Sequence, residues 1–256
     1  MNEKVVSIAH PEKRGLSWPW DNTAPEFALY QSFISSNKIT WLYNWEMWQS
    51  PGLPHGLEYV PQVRLGSQAA QIDQFLSQIH AKHFIGFNEP EMVSESNMPV
   101  GTAIALWKQY VEPAKGKFHF HLGSPAMTSS PQGKAWLQSF WRECGSSIDF
   151  VVVHWYGTDA NQLETFLKDM YATFKKPLWL TEFAYSFQRT TPPVPTTAEV
   201  EDFLKKALPM LDSLECVERY AFSGSKTDVG AWVGEANNMS NGGHTLTGVG
   251  KLYGEL

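Results

Sequence analysis

Eight short apolar segments recur along the chain. Between most of them lie stretches whose apolar residues return every three or four positions. The segments are Lys13–Trp18, Ile39–Trp45, Leu57–Leu65, Phe84–Asn88, Phe118–Ser124, Ile148–Tyr156, Pro177–Glu182 and Val217–Phe222. Each has the length and flanking turn residues of a buried strand. Strands that alternate with helices pair in parallel and are joined by right-handed crossovers. The 256 residues divided among eight units leave 32 for each, the length of one strand and one crossover helix. The spacing therefore predicts an α/β fold, a closed (β/α)8 TIM barrel, formed as one domain over residues 1–256. A doubly wound open sheet is the rival, but it calls for a glycine-rich turn after the first strand. Here Gly15 is followed by Leu16, Ser17 and Trp18.

The helical stripes can be followed residue by residue. Phe27, Tyr30 and Ile34 line the first; Ile72, Phe75, Leu76 and Ile79 line the next, with Ser67 as candidate N-cap. Ile104, Trp107 and Val111 follow, then Trp136, Leu137, Phe140 and Trp141. Leu163, Phe166, Leu167, Met170 and Phe174 form the cleanest stripe. Another runs through Val200, Phe203, Leu204, Leu208 and Leu211 and is opened by Thr196 or Thr197; Leu246, Val249, Leu252 and Tyr253 close the chain. One unit is defective. Residues 49–56, between the second and third strands, are too few and too rich in Pro and Gly for a crossover helix, so that helix is expected to be reduced to a turn. Residues 190–197 read as a long loop after strand seven, and 223–244 as the longest loop, after strand eight.

A net charge of -6 and a pI near 5.8 argue against a nucleic-acid or anionic-membrane partner. Cys144 and Cys216 have no metal or redox spacing and read as inert thiols, with no disulfide inferable. The opening MNEKVVSIAHPEKRG lacks the apolar core of a signal peptide, and no stretch is long enough to span a membrane, so the chain as given reads as soluble, and it is expected to be a monomer.

Two strand ends carry more than structure asks of them. The run His83–Phe87 ends in Asn88, Glu89 and Pro90, and the run Pro177–Thr181 ends in Glu182. Pro90 cannot donate to a ladder and turns Glu89 away from helical geometry, which leaves a carboxylate at the strand's C-terminal end. For one such Glu, capping a helix or pairing with a surface Lys would suffice; two at matching positions ask for chemistry. In a (β/α)8 barrel the C-terminal strand ends form the active face. Strands four and seven lie across its mouth, so Glu89 and Glu182 can face one cleft. Paired carboxyl groups in an aromatic-lined groove are what glycoside hydrolysis requires: one protonates the leaving oxygen, while the other attacks the anomeric carbon or activates water. Asn88 is placed to bond a sugar 2-hydroxyl. His154 and Tyr156, two apart on strand six, share one face, with Tyr156 placed to donate to Glu182. An ordinary pair at the edge of the core is the competing reading for these two.

Six segments in order, KRGLSWPW, WLYNWEMW, GFNEPE, GSPAM, HWYG and WLTEFA, resemble glycoside hydrolase family 128 between residues 13 and about 222. The resemblance implies an endo-β-1,3-glucanase and a retaining mechanism with Glu89 as acid/base and Glu182 as nucleophile; no cofactor and no metal are expected. It also implies a secreted or cell-wall location, the signal peptide being absent from this chain. Ala221-Phe222-Ser223-Gly224 departs from the clan pattern by lacking a tryptophan after strand eight, and Phe222 or Trp232 is the candidate replacement beneath the sugar.

Sugar rings stack on aromatic planes while their hydroxyls take polar partners. The loop-end aromatics Trp18, Trp20, Trp45, Trp48, Tyr185, Phe187 and Trp232 are the candidate platforms, with Asn44 and Asp21 as polar partners. Trp41, Trp107, Trp136, Trp141 and Trp179 read as core. His119 and His121 are expected on one face of strand five, near the barrel interior, without a third metal ligand. Glu91 and Glu95 follow Glu89 without ending a strand; Asp159 and Asp228 sit in loops at the active face and are candidates for touching substrate. Other readings keep the two glutamates but change the sugar (a β-mannanase, xylanase or exo-glucosidase), or keep the glucan and drop catalysis, as a glucan-binding protein.

Overall fold

The computed structural model describes residues 13–20, 22–225 and 229–256; Asp21 and Asp228 lie outside these. All eight expected strands are present: β1 (Arg14–Ser17), β2 (Trp41–Tyr43), β3 (Glu58–Tyr59), β4 (His83–Phe84), β5 (His121–Leu122), β6 (Val151–Gly157), β7 (Leu178–Tyr185) and β8 (Val217–Phe222). Six of them form one sheet in the order β3-β2-β1-β8-β7-β6, and β4 and β5 form a parallel pair. Single bridges from Gln62 to Ile85 and from Gly123 to Phe150 join β3 to β4 and β5 to β6, which closes the circle. The result is the TIM-type barrel that the alternation predicts.

The outer helices are α1 (Gln31–Ser35), α2 (Ile72–Leu76), α3 (Val100–Leu106), α4 (Glu112–Phe118), α5 (Pro131–Cys144), α6 (Ala160–Phe174), α7 (Thr197–Ser213), α8 (Gly230–Val233) and α9 (Gly248–Glu255). No helix lies between β2 and β3, where Pro and Gly crowd the connection. Thr196, not Thr197, opens α7: its hydroxyl accepts from Glu199 N while Glu199 reaches back to Thr196 N, a complete capping box. Ser67 does not cap α2. It sits inside a 3-10 turn over Gly66–Gln71, whose entrance is held by the Gln68 side chain on Leu65 N. The loop after β8 carries α8 and a small hairpin, β9 (Ser240–Asn241) with β10 (Thr245–Leu246), which the sequence pattern did not suggest.

Strand five is shorter than expected because α4 runs on to Phe118 and ends on His119, in the left-handed region at φ 59°. That placement overturns the shared-face reading of His119 and His121. Both rings are exposed, and His121 stacks on His83 at 5.4 Å instead. Both cysteines are free thiols.

Two apolar clusters divide the strand residues by face. Trp41, Tyr43, Val60, Ile85, Ala126, Phe150, Val152, Trp179 and Ala221 fill the barrel. Leu16, Leu42, Val153, Leu180, Phe183 and Phe222 belong to the larger cluster that includes the helices' buried faces. Trp179 lies between Phe150 at 4.1 Å and Trp41 at 5.2 Å, so large rings plug the interior below the active face. Gly15 makes room for this plug: a Cβ there would fall 2.2 Å from the Trp41 ring.

Candidate active site

Strict alternation along β7 would put Glu182 on the same side as Leu180, among the helices. A bulge prevents this. Val153 pairs with Leu180 and His154 with Glu182, so Thr181 is an extra residue in β7. Trp179 faces the interior, Leu180 faces out, and Thr181 and Glu182 both turn towards His154. The bulge aims the carboxylate into the barrel mouth.

Two donors hold that carboxylate from opposite sides. Trp45 Nε1 donates to Oε1 at 2.7 Å, and the Tyr156 hydroxyl donates to Oε2 at 2.6 Å. The Tyr43 hydroxyl donates to Thr181 O at 3.0 Å and lies 3.4 Å from Oε1. Donors to the charged form favour it. Trp45 reaches across the mouth from a left-handed backbone at φ 59°, and Glu89 is likewise left-handed, at φ 40°. Such a conformation costs a non-glycine residue about 1–3 kcal/mol and persists where surrounding contacts impose it. Glu89 is held by its own N–H on Ala126 O at 2.8 Å.

His154 stands between the carboxylates. Its Nδ1 is 2.6 Å from Glu89 Oε1, and its Nε2 is 2.9 Å from Thr181 Oγ1 and 3.5 Å from Glu182 Oε1. One oxygen of each glutamate and a ring nitrogen of His154 all lie within 4.8 Å of one another. Burial works against a charged imidazole here, but the Glu182 and Glu89 carboxylates outweigh it and raise the His154 pKa to about 9. Burial pushes the Glu89 carboxyl above its ordinary value, with the hydrogen bond from His154 opposing and Glu182 and Glu91 assisting. Burial and the Glu182 charge keep Tyr156 and Tyr43 protonated far above the ordinary phenol range. The carboxyls therefore differ in setting: Glu89 is favoured to keep a proton, and Glu182 is surrounded by donors.

The pair lies in a cleft of about 640 Å³. Met92, Thr128 and Ser130 line it on the Glu89 side, and Gln188 and Trp232 are also in its lining. Trp232 is 42% exposed and sets its ring edge-on to Tyr156 at 4.9 Å. Its carbonyl accepts from Ser186 Oγ, and Gln188 Nε2 donates to Tyr156 O, so the β7 and β8 loops are tied over β6.

Of the residues singled out from sequence, Glu89, Glu182, Trp45, His154, Tyr156 and Trp232 come together here. Asn88 sits beside Glu89 but is buried, its amide held by Gln62 and Glu95. Trp20 is 60% exposed on the loop after β1. Four others lie elsewhere. Trp18 is fully buried, stacked on Phe27 at 4.2 Å. Phe222 is fully buried against Phe183 and Tyr253. Tyr185 packs on Phe203 and bonds Glu199, on the α7 side of β7. Asn44 is buried and bonds Trp48 O, Ser50 and Tyr59. Each follows or ends a strand on the face turned away from the cleft, so its side chain packs or braces a loop. Asp159 is the N-cap of α6. Sequence reasoning passed over Tyr43 and Thr181. Tyr43 shares the inward parity of Trp41 and Trp45, a signal available in the sequence; Thr181 depends on the bulge.

Residues 15–253 match the family model described as glycosyl hydrolase catalytic core. A Schizosaccharomyces pombe protein, alkali-sensitive linkage protein 1, is 32% identical over 244 residues, covering 94% of this chain and 44% of that protein. The chain thus spans less than half the length of that curated relative. Among solved structures, a family 128 curdlan-specific exo-β-1,3-glucanase from Blastomyces gilchristii, in complex with glucose, superposes with TM-score 0.79 at 27% identity, covering 97% of this chain and 100% of that one. A variant of a family 128 endo-β-1,3-glucanase from Amycolatopsis mediterranei, in complex with laminarihexaose, gives TM-score 0.78 at 29% identity, covering 95% and 98%.

Proposed function

The chain belongs to the glycosyl hydrolase catalytic core family, and from that premise we propose that it is an endo-acting β-1,3-glucanase that retains anomeric configuration. The observation that carries the reading is the approach of Glu89 and Glu182, with carboxylate oxygens within 4.8 Å. Retaining glycosidases hold their carboxyl groups about 5–5.5 Å apart, whereas inverting ones leave about 6.5–9.5 Å for a water.

In this mechanism Glu182 attacks the anomeric carbon while Glu89 gives its proton to the departing glycosidic oxygen. The bond to the leaving sugar breaks as the Glu182–sugar ester forms. Glu89, now a carboxylate, then takes a proton from the water that attacks the ester, and Glu182 leaves with its charge restored. The raised pKa of Glu89 suits an acid, and the donors on Glu182 suit a nucleophile. Trp232, exposed beside Tyr156, is the aromatic surface best placed to meet a sugar ring. Action on a cell-wall polymer fits a secreted or cell-wall protein, and no helix among the described residues is long and apolar enough to cross a membrane.

The test is Glu182→Gln assayed on laminarin, with oligosaccharide binding measured alongside. Turnover is expected to vanish and binding to persist; undiminished hydrolysis would end the assignment. Product sizes from the unaltered chain decide the mode of attack. Mixed oligosaccharides are expected from an endo enzyme, and glucose alone would favour the exo mode of the Blastomyces relative.

A further inference from the structure

Glu91 lies two residues beyond Glu89, and its side chain turns towards the connection between β5 and α5. Its Oε1 accepts from Thr128 N at 2.9 Å and from Thr128 Oγ1 at 2.7 Å. Thr128 Oγ1 is also 2.8 Å from Ser130 Oγ, which accepts from Gly133 N at 3.0 Å as the N-cap of α5. These bonds have a direction. If the Thr128 hydroxyl donates to Glu91, the Ser130 hydroxyl donates to Thr128, and every proton in the relay points at Oε1. Oε1 thus takes two donors close to the N-terminal end of the 14-residue helix α5. The partner oxygen, Oε2, is buried and has no hydrogen-bond partner among the described residues. A buried, unpaired carboxylate oxygen is costly and asks for a reason. No ion pair to Glu91 is found among the described residues to offset its charge.

We propose that Glu91 is a positioning residue for the acid: a negative charge behind Thr128 of the cleft wall that keeps the proton on the Glu89–His154 pair, while its bonds to Thr128 hold the β4 and β5 loops together. This rests on Glu89 being the acid. The titratable groups acting on Glu89 are His154 and Tyr156 from β6, Glu182 from β7, Tyr43 from β2 and Glu91 from its own loop, and Glu95, paired with Arg64, lines the same cleft. His154 is the cation in direct contact with Glu89, while the Glu182 and Glu91 charges both act to keep the proton on Glu89. Glu91 acts on both members of the pair in the same sense, favouring the protonated form of each.

Glu91→Gln keeps the size and the oxygen that Thr128 needs and removes the charge. With less negative charge nearby, the acid loses its proton more easily. The alkaline limb of kcat/KM against pH is therefore expected to move to lower pH by about half a unit or more, with KM little changed at the acidic plateau. Thr128→Val removes the hydroxyl and leaves the charge, and its limb is expected to stay within about 0.2 of a unit of the parent. An unshifted limb in active Glu91→Gln overturns the role. So does an equal shift in Thr128→Val, because loop shape and not charge would then be responsible. If Glu91→Gln does not fold, Glu91→Asp replaces it: the charge is kept, so the limb must stay near the parent's, and a limb shifted as expected for Gln overturns the role. None of these outcomes touches the identity of the acid, which fails only if Glu89→Ala hydrolyses laminarin at the parent's rate.

Discussion

Trp45 and Glu182 are 137 positions apart in the chain, and the indole Nε1 of one meets the carboxylate Oε1 of the other at 2.7 Å. Two local irregularities make the contact: Trp45 takes a left-handed backbone past the end of β2, and β7 bulges at Thr181. A hydrogen bond to a charged group contributes about 1.5–3 kcal/mol. Trp45→Phe keeps the ring and removes the donor, so kcat/KM on laminari-oligosaccharides should fall about 10- to 100-fold. Circular dichroism and melting should stay near the parent's. An unchanged rate would mean that the nucleophile does not depend on the indole.

Tyr156→Phe removes the other donor, 2.6 Å from Oε2, and a loss of similar size is expected. Because both donors act on one carboxylate, Trp45→Phe/Tyr156→Phe should depart from the sum of the two single effects by more than about 0.5 kcal/mol. Strict additivity would show that the two bonds act on separate steps.

His154 links the site to stability. Its folded pKa of about 9 stands above the ordinary 6.5, so the folded state binds the proton more tightly than the unfolded chain. Stability from this source is fully present below about pH 6.5 and is lost as pH rises to about 9. Glu89, also raised, has the same sign over its own, more acidic window. Urea unfolding at pH 6 and pH 9 should show a decline of the order of a few kcal/mol, and the decline should flatten in His154→Asn. A stability that rises across this range would contradict the ion-pair arrangement.

Gly15 leaves no room for a side chain beneath the site. A methyl group there would meet the Trp41 ring at 2.2 Å, and that ring touches Trp179 and Tyr43. Gly15→Ala should therefore cost about 1–3 kcal/mol, read as a lowered urea midpoint. A neutral result would mean that the interior plug can shift as a body.

Trp232 and Trp18 offer a paired comparison. Trp232→Ala removes an exposed ring beside Tyr156 and should raise KM on laminari-oligosaccharides by about 10-fold, as loss of one stacking surface does. Trp18→Phe alters a fully buried ring and should lower the melting temperature with KM unchanged. The reverse pattern would place the sugar on the other side of the barrel mouth.

The barrel could be read from the chain alone because its cause is local and repeated. Apolar runs alternate with stripes at helical spacing, Pro and Gly mark the missing second crossover, and Thr196 with Glu199 announces α7. Glu89 and Glu182 stood out as carboxylates closing apolar runs, although β7 continues past Glu182 to Tyr185, and Tyr156 stood out by its parity with His154. Tertiary structure alone decided which way the strand-end residues point. Trp18, Phe222, Tyr185 and Asn44 all sit beside strand ends, yet each packs away from the cleft, because the face a residue takes depends on pleat, bulge and the loop beyond. By the same physics, an extra residue at Thr181 turns Glu182 towards Glu89. A single inserted position reverses the side to which a strand residue belongs, and alternation read from the sequence does not reveal where that happens.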